Sequence, residues 1–246
     1  MNSALPATRG SVLDDPCIGA LERGRETAVR RRRGELLAFA ALLLVFNAPL
    51  LAGSRWLSMI FLPDAVMSGQ WWRLFTHAFV HVSWYHLLLD GSAFLLLYHG
   101  LLEAKLRRRL AYVIGGGAGS LLLAWATVPW LTSSGLCGLS GIAHGLMAVS
   151  AVEMIAGQPR NSPQWRIGLI TFLLVAGKAA IEAWSGRMFF TWLHFVLMGD
   201  PVAVSHAGGV IGALLAMLLT RLQSRSGVTS TGEPSLRRPS TSGGIS

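Results

Sequence analysis

The sequence predicts an all-α membrane protein with six transmembrane helices, and three observations carry that prediction. Hydrophobic residues make up 52% of the 246-residue chain and charged residues only 13%, and the mean hydropathy of +0.49 argues against a water-soluble domain. Six apolar stretches approach or exceed the roughly 17–25 residues that a helix needs to cross about 30 Å of hydrocarbon. Most of the basic residues flank those stretches instead of interrupting them. The net charge of +9 is therefore the signature of anchoring loops, not of a nucleic-acid face, and no nucleic-acid partner is expected.

Residues 1–34 form a polar, Arg-rich tail, expected to be disordered and cytoplasmic, which ends in Arg30-Arg31-Arg32-Arg33. The first apolar run, about 35–52, follows a long polar leader and has no A-x-A cleavage site, so it reads as an uncleaved span. The other spans are expected at about 80–101, 110–130, 139–156, 167–184 and 203–221, the fourth and fifth being short and glycine-bearing. Residues 222–246, rich in Ser, Gly, Thr and Pro, are expected to be a second disordered cytoplasmic tail. Cys17 and Cys137 are too few for a disulfide framework.

A cytoplasmic N-terminus puts Lys105, Arg107, Arg108, Arg109, Arg160, Arg166, Arg221 and Arg225 on the cytoplasmic side, as the positive-inside rule requires. The expected location is the cell membrane (the inner membrane for a bacterial source), with anionic lipids attracted to the basic tail. Spans two, four and six then begin at the outer face, which places His81, His86, Ser140 and His206 in one shallow layer.

Polar groups inside hydrocarbon are costly and usually functional. Ser140 lies in Gly138-Leu139-Ser140-Gly141, where flanking glycines admit a substrate backbone and free helix N–H groups point at the site. Serine nucleophile chemistry needs a base, and His206 is the candidate. No acid is evident to orient that imidazole, so the expected unit is a Ser–His dyad. Taken singly, G-x-S-G and the Gly208/Gly212 pair read equally well as small-residue helix packing. Lys178 and Glu182, an i, i+4 pair, read as an internal ion pair or as snorkelling side chains.

The stretch Trp71-Trp72-Arg73-Leu74-Phe75-Thr76-His77-Ala78-Phe79-Val80-His81, with His86 and Asp90 following, resembles the rhomboid intramembrane serine proteases. These place W-R in the first outer loop and H-x3-H-x4-H-x3-N at the second span, then G-x-S-G and H-x2-G in the same order. The resemblance covers about residues 35–221 and implies a six-transmembrane-helix rhomboid-like bundle. It implies Ser140 as nucleophile, His206 as general base, and His86 as oxyanion donor beside the Ser140 N–H. It implies structural roles for His77, His81, Trp72, Arg73 and Glu103, and neither metal nor organic cofactor.

Two positions depart from the family pattern. Asp90 stands where Asn usually assists His86 at the oxyanion hole, so it is either protonated or turned towards His86. His144 replaces a common tyrosine one turn after Ser140, either packing on His206 or tuning its basicity. Gly138-Leu139-Ser140-Gly141-Ile142-Ala143-His144-Gly145 resembles the rhombosortase branch, which implies exported substrates with a C-terminal Gly-Gly motif, an apolar span and a basic tail. Competing readings are a general rhomboid protease with other transmembrane substrates, a non-catalytic rhomboid-like client-binding protein, and a histidine-lined transporter.

Overall fold

The computed structural model describes residues 16–189 and 202–229. They form six long helices: α1 Pro16–Asn47, α2 Trp84–Gly100, α3 Leu106–Thr127, α4 Ser140–Ala156, α5 Pro163–Ser185 and α6 Val204–Thr229. Short helical turns fill the segment between α1 and α2. Val29–Ala52, which runs past the end of α1 into the next turn, and stretches of α3, α5 and α6 are long and apolar enough to cross a membrane. Helix α2 joins them when paired with the segment Arg73–Phe79, from which it bends by 94°. The protein is a multi-pass helical membrane bundle. Helix α4, 17 residues long, extends only about 26 Å at 1.5 Å per residue, short of the roughly 30 Å hydrocarbon layer.

Local chemistry sets the helix ends, and in places moves them from their expected positions. Helix α2 starts at Trp84, not at 80, because the Ser83 hydroxyl caps it by accepting the His86 N–H at 3.1 Å. His81 is thus in the loop before the helix. Ser162 caps α5 in the same way, with Pro163 at its first position, and Gly186 ends it in the left-handed conformation.

At the other end of the bundle, α1 runs back to Pro16, through much of the stretch expected to be a disordered tail. Its Ala, Leu, Glu and Arg residues are good helix formers. Arg32 also binds the α2 terminus, donating to the carbonyls of His99, Leu101 and Glu103 at 2.7–2.9 Å. Helix α6 likewise continues to Thr229, past the expected boundary at 221. Residues 1–15 and 230–246 of the two expected tails lie outside the described residues.

Helix α6 packs against α3 and α4 by backbone proximity. A Cβ at Gly119 would strike the Gly208 carbonyl, one at Gly212 the Gly115 carbonyl, and one at Gly209 the Gly141 carbonyl. Small residues give such close approach where no hydrophobic driving force separates helix from lipid. Phe94, Tyr98, Tyr112, Leu146 and Met217 fill the adjoining core.

Polar staples fix the end where α2 passes to α3. Arg109 grips Glu35 through three bonds of 2.6, 2.7 and 3.1 Å, and Tyr98 donates to the same carboxylate. Glu153 accepts the N–H groups of Leu102 and Glu103. Burial pushes the Glu103 carboxyl upwards, but Arg108 at 2.9 Å and the Lys105 N–H outweigh it and hold the carboxyl below its usual range. Near the opposite end, buried Arg73 donates to the carbonyls of Leu57 and Ile60 and to Gln70, which ties the α1–α2 connection together.

Candidate active site

Ser140 is the first residue of α4, reached through a loop clamped from two sides. Phe61 and Leu136 exchange backbone bonds at 3.0 Å, and the Gly138 N–H donates to the His77 carbonyl at 3.0 Å. Gly138 has φ +99°, a region that favours glycine, and a Cβ there would sit 2.7 Å from Asp90 Oδ2 and 2.8 Å from His86 Nε2. The next glycine, Gly141, lies between α3 and α6: a Cβ would strike the Ser120 side chain and lie 3.0 Å from the Ser205 carbonyl, and a Cβ at Gly209 of α6 would strike the Gly141 carbonyl. The first turns of α4 and α6 therefore abut, bringing Ser140 beside the turn that carries His206. Cys137, three residues before Ser140, is a free thiol whose pKa burial pushes up to about 12, so it is no competing nucleophile at neutral pH.

On the α2 side, Asp90 is turned towards His86, whose Nε2 lies 3.1 Å from Asp90 Oδ2. That same oxygen accepts the N–H groups of Leu139 at 3.0 Å and Ser140 at 3.1 Å. Leu139 offers no side-chain cap to α4, so Asp90 caps it from a neighbouring helix and sets a negative group against its positive end. The donors expected to meet an oxyanion, His86 and the Ser140 N–H, thus surround a carboxylate oxygen. His81 supports this wall: its N–H and Nδ1 meet Asn47 Oδ1 at 2.8 and 3.3 Å.

On the α6 side, His206 is buried and its Nδ1 lies 2.7 Å from Glu182 Oε2. The sequence shows no acid beside this imidazole; the fold brings Glu182 to it from α5. The Lys178–Glu182 pair is not merely internal to α5; it reaches His206 as well. Lys178 Nζ lies 2.8 Å from Glu182 and donates to His144 Nε2 at 3.1 Å. His144 Nδ1 in turn donates to the Ser140 carbonyl at 2.8 Å, and its ring stacks on His206 with centroids 3.9 Å apart. The polar side-chain contacts of His206 and His144 run through this network, and the Ser140 N–H is taken by Asp90. A nucleophile–base hydrogen bond commonly tightens only when substrate binds.

His77 is held apart, donating from Nδ1 to the Arg73 carbonyl. Trp72 donates to the Ser58 carbonyl. Among the described residues, two groups have donor sets suited to a metal by chemistry, His81–His86–Asp90 and His144–Glu182–His206, each with ligand atoms within 4.8 Å of one another. In the second, the Lys178 ammonium already supplies the positive charge between His144 and Glu182.

A short apolar helix opening on a serine, with imidazoles delivered to its start from two other helices, defines a site for serine chemistry inside a helical membrane bundle. The family model described as "Rhomboid domain" matches residues 68–226. Similar proteins include the rhomboid protease GlpG of Salmonella choleraesuis, 27% identical over 213 residues, covering 80% of this chain and 67% of the relative. The rhomboid protease GlpG of Salmonella typhimurium matches to the same extent. The chain belongs to the rhomboid family, and its class is that of the intramembrane serine proteases.

Proposed function

We propose that the chain is an endopeptidase that uses Ser140 and His206 to hydrolyse a peptide bond in or next to the transmembrane segment of a protein substrate. The observation that carries this reading is the abutment of the α4 and α6 first turns, which sets the serine beside the turn bearing His206. Ser140 Oγ bonds to the scissile carbonyl carbon while its proton passes to His206 Nε2 and the carbonyl oxygen becomes an oxyanion. His206 then protonates the leaving amine as the C–N bond breaks. Water, deprotonated by His206, releases the acyl group and restores the Ser140 hydroxyl. His86 and the Ser140 N–H receive the oxyanion once Asp90 withdraws from them.

The shortness of α4 supports a recessed Ser140 reached by water from the outer face, and the basic clusters that flank the spans support cytoplasmic termini. The rhombosortase-like motif around His144 supports exported substrates with Gly-Gly/transmembrane tails. A cavity of about 480 Å³ lined by Arg31, Arg32, Arg33, Arg109 and His99 supports anionic lipid beside the arginine cluster midway along α1.

Fluorophosphonate labelling of the purified protein tests the reading. Labelling is expected for the wild type and lost in Ser140→Ala and His206→Ala; labelling that survives Ser140→Ala sinks the nucleophile. Reconstituted enzyme should cleave a Gly-Gly-tailed transmembrane substrate faster than the same span without the Gly-Gly pair. Equal rates would leave a general rhomboid protease.

A further inference from the structure

We propose that Glu182 completes a Ser140–His206–Glu182 triad as a positioning residue for the base. This rests on the reading of Ser140 as nucleophile and His206 as base. Four observations carry it. Glu182 Oε2 meets His206 at 2.7 Å, with the Glu182 side chain fully buried. The nitrogen it meets is Nδ1, so a proton fixed there leaves the Nε2 lone pair free for the serine. The carboxylate is itself held on three sides, by His206, by Lys178 at 2.8 Å, and by the Phe189 N–H at 2.8 Å on Oε1. His144 stacks on the imidazole at an interplanar angle of 14° and packs against one face of the ring.

A structural account would have Glu182 serve only to neutralise Lys178. That account leaves the bond to His206 without a purpose. The short contact to Nδ1 has the placement of an orienting acid.

The test is steady-state cleavage of a transmembrane substrate by full-length reconstituted enzyme carrying Glu182→Gln, Glu182→Asp, Lys178→Met, or the double change Lys178→Met/Glu182→Gln. Loss of the orienting charge should lower kcat roughly 10²–10⁴-fold, with KM changed less than about threefold. Glu182→Asp should recover part of that loss. Lys178→Met, which keeps the carboxylate on His206, should lose far less. The double variant separates the two accounts: having no unpaired charge, it should fold, yet remain as slow as Glu182→Gln. Wild-type kcat in the double variant, or in a folded Glu182→Gln, overturns the triad. Fluorophosphonate labelling is run in parallel. Labelling that persists in Ser140→Ala would remove the nucleophile reading itself, whereas its loss there alongside an unimpaired Glu182→Gln would remove the triad alone.

Discussion

Two histidine–carboxylate pairs flank Ser140, and they are wired in opposite senses. His206 meets Glu182 through Nδ1, at 2.7 Å, behind the ring. His86 meets Asp90 through Nε2, at 3.1 Å, and the same carboxylate oxygen also takes the Ser140 N–H. One carboxylate sits away from the serine and leaves a nitrogen free to accept a proton. The other occupies the donors that an oxyanion needs. Both pairs join an imidazole to a carboxylate; which nitrogen is engaged, and what else the carboxylate touches, separates a device for holding a base from a device for capping a helix.

The largest expected effect breaks the comparison at its histidines. His206→Ala removes the base and should lower kcat by at least about 10³-fold, the scale of a missing triad member. His86→Ala removes one oxyanion donor and should cost roughly 10²–10³-fold. Steady-state cleavage compares them directly, and an inactive His86→Ala beside an active His206→Ala would exchange their roles. Gly138→Ala comes next. Its methyl would press on both His86 and Asp90 in a backbone conformation unfavourable to alanine, so about 1–3 kcal/mol of stability should be lost. Thermal unfolding in detergent measures that loss, and cleavage should fall with it. An unchanged melting temperature would show that the loop relaxes without disturbing the α2 wall.

The six apolar runs and the nucleophile motif were legible because each is local: a run of hydrophobic residues, a serine between glycines, an i, i+4 spacing from Ser140 to His144. Glu182 was not. Its i, i+4 partner Lys178 supplies a complete local explanation, and only the packing of α5 against α6 brings it across 24 positions to His206. Asp90 was half legible. Its turn towards His86 follows from the same helix spacing, but its capping of α4 spans 50 positions and depends on how α2 meets the Gly138 loop. The bend before Trp84 escaped because Val80 and Val82 continue the apolar pattern, while the Ser83 cap that stops the helix is a single hydroxyl.

The smallest expected effect sharpens the α2 side. Asp90→Asn keeps the shape of the side chain and leaves a carbonyl oxygen to accept from Leu139 and Ser140. It removes a negative charge that opposes an oxyanion forming at the same donors. A neutral amide yields that place more readily, so kcat should hold or rise by a few-fold, about 1 kcal/mol or less in barrier height. Stability should move the other way, since a charge near a helix N-terminus contributes about 0.3–1 kcal/mol, and up to about 2 when partly buried. Cleavage and thermal unfolding measured on one preparation separate the two. A faster but slightly less stable Asp90→Asn identifies Asp90 as a cap that must step aside. A large loss of kcat with the melting temperature intact means that its charge, by orienting His86, serves the reaction just as Glu182 serves it behind His206.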